Sequence, residues 1–121
     1  MLICNICLAH EVTKTIFDGE ITKDIHVKVT NTVKYQNNSL FVYVHQVSIF
    51  TSTNKNRLQK FKDLMMSLDL EEVNNNDKVK VCQDPKLRKI INKYLGTIKY
   101  STTTKILGEE INTKFTLTEC N

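Results

Sequence analysis

Two cysteines and a histidine near the start of the chain have the spacing of a metal half-site. Cys4, Cys7 and His10 form the pattern C-x2-C-x2-H. Thiolates at this spacing can bind one Zn²⁺ ion from a tight turn, but a structural zinc site needs four ligands. Neither of the other two cysteines belongs to a second C-x2-C pair. We therefore expect no metal and no other cofactor, and we favour a buried first strand over residues 3–8, with the metal half-site as the alternative.

Catalytic chemistry has few candidate residues. A nucleophilic enzyme needs a nucleophile, a base and an orienting group within reach of one another. Besides His10, the chain has His26, which we place on the exposed side of a strand, and His45, which we expect to be half-buried in the apolar strand 42–47. The sequence has no G-x-S-x-G motif, H-E-x-x-H motif or glycine-rich phosphate loop. It therefore favours a non-enzymatic function, and a small enzyme with a His/Cys site is an alternative.

Charged residues form three successive blocks, although the whole chain has a net charge of only +4. The first block, 55–62, contains four bases and no acid, namely Lys55, Arg57, Lys60 and Lys62. The second block, 63–77, contains five acids and no base, namely Asp63, Asp69, Glu71, Glu72 and Asp77. The third block, 78–93, contains six bases and one acid, and one face of its predicted helix carries Lys86, Lys89 and Lys93.

This layout opposes the dipole of the helix that we predict over residues 54–71, because a helix dipole favours acids at the N-terminus and bases at the C-terminus. Bases beside a helix N-terminus concentrate positive potential that suits an anionic partner. We therefore predict that the four bases of block 55–62 and the three lysines named on the second helix bind a partner. The alternative is that the acids pair with those lysines and that both faces are merely solvated.

Periodicity predicts the elements that position these residues. Alternation predicts strands around residues 12–16, 25–35 and 40–50, with a turn at Asp18-Gly19. The third strand is apolar on both sides, which is typical of a strand that is central or covered on both faces. After the first helix we predict a loop at 74–77, a short strand at 79–81 and a helix that begins at Asp84-Pro85.

The end of the chain alternates again. Gly96 is expected to end the second helix in the left-handed conformation. Residues 98–106 and 111–117 predict a hairpin that turns at Gly108. The fold prediction is therefore a single α+β domain over residues 1–121, with a mainly antiparallel sheet in the order β-β-β-α-β-α-β-β and two amphipathic helices packed on one face.

These observations favour a small non-enzymatic module that binds another protein, such as an inhibitor or accessory factor. The abundance of Lys, Asn and Ile, residues of A/T-rich codons, indicates an AT-rich genome such as that of a virus, phage or microbe. The alternative is a nucleic-acid-binding protein that uses segments 55–62 and 78–93.

We expect no membrane span and a cytoplasmic location with free cysteines. A secretory signal in residues 1–9, with Cys82 bonded to Cys120, is the alternative, and the sequence leaves the oligomeric state open.

Overall fold

The computed structural model describes residues 9–36 and 40–120, with the backbone alone at residues 9 and 10. Within these ranges the chain forms five strands and three helices. In chain order the elements are β1 (Ala9–Thr22), β2 (Ile25–Gln36), β3 (Phe41–Thr51), α1 (Lys55–Met66), α2 (Leu70–Gln83), α3 (Pro85–Asn92), β4 (Thr97–Ile106) and β5 (Glu109–Leu117). The predicted succession of three strands, a helical region and two strands is confirmed, as is the α+β class.

The five strands form one mixed sheet in the order β1-β2-β3-β4-β5. Both ends of the sheet are antiparallel, and β3 pairs with β4 in parallel. A parallel pair cannot be joined by a tight turn, so the helical region serves as the crossover between the two central strands. The predicted C-terminal hairpin is present, because Ile106 pairs with Glu109 across a turn at Leu107 and Gly108.

The helical region differs from the prediction in its number of helices. Our first helix, 54–71, ends at Met66 and is followed by α2, so the sheet carries three helices rather than two. The predicted loop at 74–77 and the predicted short strand at 79–81 both lie inside α2. Asp69 explains the correction, because its side chain accepts a hydrogen bond from the backbone N–H of Glu71 at 3.0 Å and so caps a new helix.

The new helix start removes the acidic half of the conflict between the charges and the helix dipole, while bases still lie in the first turn of α1. Asp69 is the N-cap of α2, and Glu71 and Glu72 lie in its first turn, where the dipole favours acids. Lys80 lies in the last turn of the same helix, where a base is favoured. The acidic block therefore begins α2 instead of ending α1, and most of its charge needs no functional explanation.

Two of the predicted turns are also corrected. Strand β1 continues through Asp18 and Gly19, and the chain turns at Lys23 and Asp24, where Asp24 has a positive φ of 65°. After α3 the left-handed residue is Leu95, with a φ of 54°, and not Gly96. Gly96 is needed for a different reason, since a Cβ atom there would lie 2.8 Å from a methyl carbon of Ile90 and 2.9 Å from the carbonyl oxygen of Leu40.

The core consists of two apolar clusters at opposite ends of the sheet. At one end, Leu58 of α1 packs against Ile25 and Ile106. At the other end, the buried residues of α2, α3 and the sheet form the larger cluster, which contains Val42, Val44, Val81, Ile90, Ile91, Ile98, Tyr100 and Leu117. Ile98 and Ile106 are eight residues apart on β4, so the cluster centres are separated by about 26 Å along the strand.

A row of polar side chains crosses the sheet between these two clusters. The strand register aligns one residue from each strand, namely Lys14, Asn31, Gln46, Thr102 and Thr113. The hydroxyls of Thr102 and Thr113 contact each other, and the Tyr100 hydroxyl donates a hydrogen bond to Gln46 Oε1 at 3.1 Å. Because residues two apart on a strand share a face, this polar row lies on the same side of the sheet as the two clusters.

A disulfide joins the helical layer to the end of the chain. Cys82, near the end of α2, is bonded to Cys120, three residues after β5. The bond corrects our expectation of free thiols at these two positions. It also ties α2 to the edge strand β5, on which that helix packs.

None of the helices in the described part of the chain is long and apolar enough to cross a membrane.

Candidate functional site

The seven predicted partner-binding bases do not form one surface. Lys55, Arg57, Lys60 and Lys62 belong to α1, which covers the cluster around Ile106. Lys86 and Lys89 belong to α3, and Lys93 is its C-cap, over the cluster around Ile98. The two groups therefore lie at opposite ends of the sheet.

Two of the α1 bases already have acidic partners within the chain. The Lys62 side chain is only 11% exposed, and its Nζ lies 2.8 Å from Glu109 Oε2 on β5. Arg57 Nε lies 3.8 Å from Asp24 Oδ2 in the β1–β2 turn. The first contact fastens α1 to the sheet edge, so Lys62 has a structural role that the block pattern did not reveal.

The lysines around α3 lie over aromatic rings. Lys86 Nζ is 4.6 Å from the ring centroid of Tyr35, while Lys89 and Lys93 Nζ are 6.0 and 5.7 Å from that of Tyr94. Contacts of this kind are worth about 0.5–1 kcal/mol at exposed sites. These lysines are exposed, so a role in binding stays a prediction for them.

The side of the sheet opposite the helices is a regular exposed surface, which we call the open face. Its centre is β3, where Phe41, Tyr43 and Ile49 are 40%, 36% and 40% exposed. Their neighbours Val42 and Val44 point the other way and are buried in the core. Strand β3 is therefore central, as predicted, but it is covered on one side only.

Lysines flank this apolar strand on the open face. The register places Lys34 of β2 and Lys99 of β4 on either side of Tyr43, and Lys28 and Lys105 on either side of Ile49. Lys99 Nζ lies 5.7 Å from the Tyr43 ring centroid. Strands β2, β3 and β4 contain no Asp or Glu. The outer strands β1 and β5 place an acid opposite three of these four lysines, so the middle of the open face combines exposed apolar groups with lysines, and acids lie further out.

Hydrogen bonds between strands hold the polar side chains of the open face in place. His45 Nε2 lies 2.9 Å from Thr103 Oγ1, and Thr103 Oγ1 donates to Asn112 Oδ1 at 2.9 Å. Thr13 and Thr32 hydroxyls are 3.0 Å apart. His45 is exposed, not half-buried as predicted, because the uncovered side of β3 carries it. These hydrogen-bonded side chains need little further ordering when the open face binds.

His26 belongs to a pair that the sequence did not predict. It lies on the exposed side of β2, as expected, and its Nε2 is 2.6 Å from Asp18 Oδ1 on β1. The pairing follows from the turn at Lys23 and Asp24, whereas our turn at Asp18-Gly19 would have separated the two side chains. Among the described side chains, neither His26 nor His45 bonds to a serine or cysteine, so the His/Cys enzyme has no assembled nucleophile in this part of the chain.

The metal half-site falls largely outside the described residues. Cys4, Cys7 and the His10 side chain are not among them. Within the described ranges, no three His, Cys, Asp or Glu side chains are grouped as a metal site.

Two titratable groups between α2 and the sheet have shifted pKa values. Partial burial raises the pKa of Asp77, and the opposing effect of Lys80 is smaller. Burial also raises the pKa of Tyr100 to about 12, with a further contribution from the negative charge of Asp77. These shifts mark a polar region inside the core, beside the row that contains Gln46.

Comparison with protein-family models, with curated proteins and with solved structures finds no match.

Proposed function

We propose that this protein is a non-enzymatic module that binds another protein, as an inhibitor or accessory factor, through its open face. The exposed apolar side of β3, bordered by lysines on both neighbouring strands, is the observation that carries the proposal. An exposed apolar patch with a polar border is typical of protein-binding surfaces. The aromatic Phe41 and Tyr43 are residue types enriched at the centres of such interfaces.

Charge complementarity specifies the partner. The lysines beside Tyr43 and Ile49 favour a surface with an apolar centre and an acidic border. The partner that we propose is an acidic protein whose acids lie opposite these four lysines.

The open face is large enough for such an interface. Five strands about 4.8 Å apart span about 20 Å, and the 11 residues of β3 extend over about 36 Å. The resulting area is close to the roughly 800 Å² per partner that a standard interface buries. A single patch of this size supports stable binding without a contribution from the helices.

The disulfide supports a location of this protein outside the reducing cytoplasm. Bonds such as Cys82–Cys120 persist in oxidising compartments and are rare in cytosolic proteins. We therefore propose a secreted or otherwise oxidised setting in place of the cytoplasmic one.

Site-specific photo-crosslinking in an extract of the source organism tests the docking surface. A photoreactive phenylalanine analogue replaces Tyr43 in one variant and the exposed Lys60 of α1 in a matched control. We expect the Tyr43 variant to form one dominant adduct with an acidic protein that resists nuclease, and the Lys60 variant to form none with that protein. Equal adducts from both positions, or an adduct that nuclease removes, would contradict the proposal, and the second result would favour nucleic-acid binding.

A further inference from the structure

A recess of about 500 Å³ lies on the open face, across strands β3, β4 and β5. Its floor is Ser101 of β4, which the register places between His45 of β3 and Lys114 of β5. The neighbouring row across the same strands consists of Tyr43, Lys99 and Thr116. The recess forms because the Ser101 side chain is shorter than those around it.

The side chains that line this recess favour a negatively charged ligand. Lys99 and Lys114 are diagonal neighbours on adjacent strands, a separation of about 7–8 Å. Both lysines are exposed, and neither belongs to an ion pair among the described residues. None of the described residues that line the recess is acidic. The two ammonium groups can therefore contact one anion together.

The recess also contains the lysine beside β3 that faces no acid on an outer strand. The other three lysines that flank β3 each face one, in the pairs Lys34 with Glu11, Lys28 with Asp18 and Lys105 with Glu110. Lys99 faces Thr116 instead, and Lys114 on the same outer strand adds a second positive charge. The positive potential that attracts an acidic partner is therefore least compensated at the recess.

Contacts with neighbouring residues hold two walls of the recess in place. His45 Nε2 lies 2.9 Å from Thr103 Oγ1. On the other row, Lys99 Nζ lies 5.7 Å from the ring centroid of Tyr43. These side chains lose little conformational freedom when a ligand binds between them.

We propose that this recess anchors the acidic partner through one aspartate or glutamate side chain. The carboxylate of that side chain lies above Ser101 and contacts the ammonium groups of Lys99 and Lys114. This inference rests on the proposed function, since it names the point of the open face at which the partner is recognised. Ser101 determines specificity, because a larger side chain at this position would fill the space that the carboxylate needs.

A short acidic peptide tests the recess without the partner. The probe is acetyl-Glu-Leu-Glu-amide, added to isotope-labelled protein and followed by the amide signals in NMR spectra, and acetyl-Gln-Leu-Gln-amide is the neutral control. We expect saturable shifts at residues 99, 101 and 114 with the acidic peptide, a Kd in the millimolar range, and at least about fivefold weaker binding of the neutral peptide.

Three results of this titration would overturn the proposal. They are no saturable shift with the acidic peptide, equal binding of the neutral peptide, and tighter binding of a thymidine dinucleotide at the same residues. The last result would favour nucleic-acid binding. Because the peptide titration needs no partner, a failed cross-link at Tyr43 and a failed recess give different results.

Two pairs of lysines provide a matched comparison with the cross-linked partner. Lys99→Met with Lys114→Met removes two positive charges from the recess, whereas Lys28→Met with Lys105→Met removes two that already face acids. We expect the first variant to raise the Kd at least about tenfold and the second to raise it no more than about threefold. Equal effects of the two variants would overturn the recess as the anchor and leave the open face as the docking surface.

Ser101→Ile tests the space while it keeps both lysines. Isoleucine favours strands, so the fold and the thermal midpoint should be retained. Thr30→Ile is the matched control, since Thr30 lies on the open face of β2, outside the recess. We expect at least about a tenfold higher Kd of the partner for Ser101→Ile than for Thr30→Ile. Equal Kd values for these two folded variants would overturn the role of Ser101.

Discussion

Lys62 shows how a residue that looks functional in sequence can be structural in the fold. It belongs to a run of bases, yet its side chain is almost buried and pairs with Glu109. Glu109 keeps half of its side-chain surface in water, so the pair is partly screened and its contribution to stability is modest. Sequence alone could not distinguish Lys62 from Lys60, because only the position of α1 on the sheet determines which lysine faces inward.

We expect Glu109→Gln to lower the free energy of unfolding by about 1 kcal/mol, since it removes the charge that compensates the Lys62 ammonium. Urea denaturation measures this change. Glu110→Gln is the control, because Glu110 is the exposed acid next along β5. An equal loss in both variants would show that the Lys62 contact adds nothing.

The protonation of Asp77, which lies in the polar region under α2, makes the stability of the fold depend on pH. Its pKa is raised mainly by burial, so the native state holds the proton more tightly than the unfolded chain does. Protonation therefore stabilises the fold, and stability is lost as the pH rises through the raised pKa. We expect Asp77→Asn to raise the thermal midpoint at neutral pH and to raise it less as the pH falls below that pKa.

The control for this prediction is Asp63→Asn, which removes an exposed acid from α1. It should show no such pH-dependent gain. A drop in the thermal midpoint of Asp77→Asn at neutral pH would contradict the account, because it would mean that the ionised carboxylate stabilises the fold.

At the scale of the elements, the strands were easier to predict than the helical region. The alternation predicted over residues 25–35, 98–106 and 111–117 matches β2, β4 and β5. The helices were harder because Asn74, Asn75 and Asn76 have low helix propensity and resemble a loop. In the structure the Asp69 cap and tertiary packing through Val81 make this segment helical.

The disulfide couples two of these elements, and its removal should destabilise the domain. It joins residues 38 positions apart, and closing a loop of that length in the unfolded chain is worth about 3–4 kcal/mol in the chain-entropy model. We expect Cys82→Ser with Cys120→Ser to lower the free energy of unfolding by about this amount in urea.

The matched control uses reductant. Reduced wild-type protein should unfold at the same urea concentration as the double variant, and the variant itself should not respond to reductant. A double variant as stable as the oxidised wild type would contradict a structural role for this bond.

At the scale of the molecule, the sequence predicted a single α+β sheet with helices but not which of its surfaces is exposed. The apolar residues on both sides of β3 suggested cover on both faces. In the described part of the chain the three helices follow β3 and pack against the clusters that include Val42 and Ile106, so these helices leave the other side, with Tyr43, open. The candidate site was missed because it is composed of alternate residues from separate strands, which have no local motif.

The open face is the surface that we propose binds the partner. The most direct measurement of this binding is the affinity of the cross-linked partner for two double variants. Tyr43→Thr with Ile49→Thr removes exposed apolar groups, and threonine is chosen because it also favours strands.

The control variant, Lys60→Glu with Lys89→Glu, changes two exposed helix lysines. It should leave the fold intact, with a thermal midpoint within about 8 °C of the wild type. We predict at least about a tenfold weaker Kd for the first variant and an unchanged Kd for the second. The reverse pattern would contradict the account and place the partner on the helices.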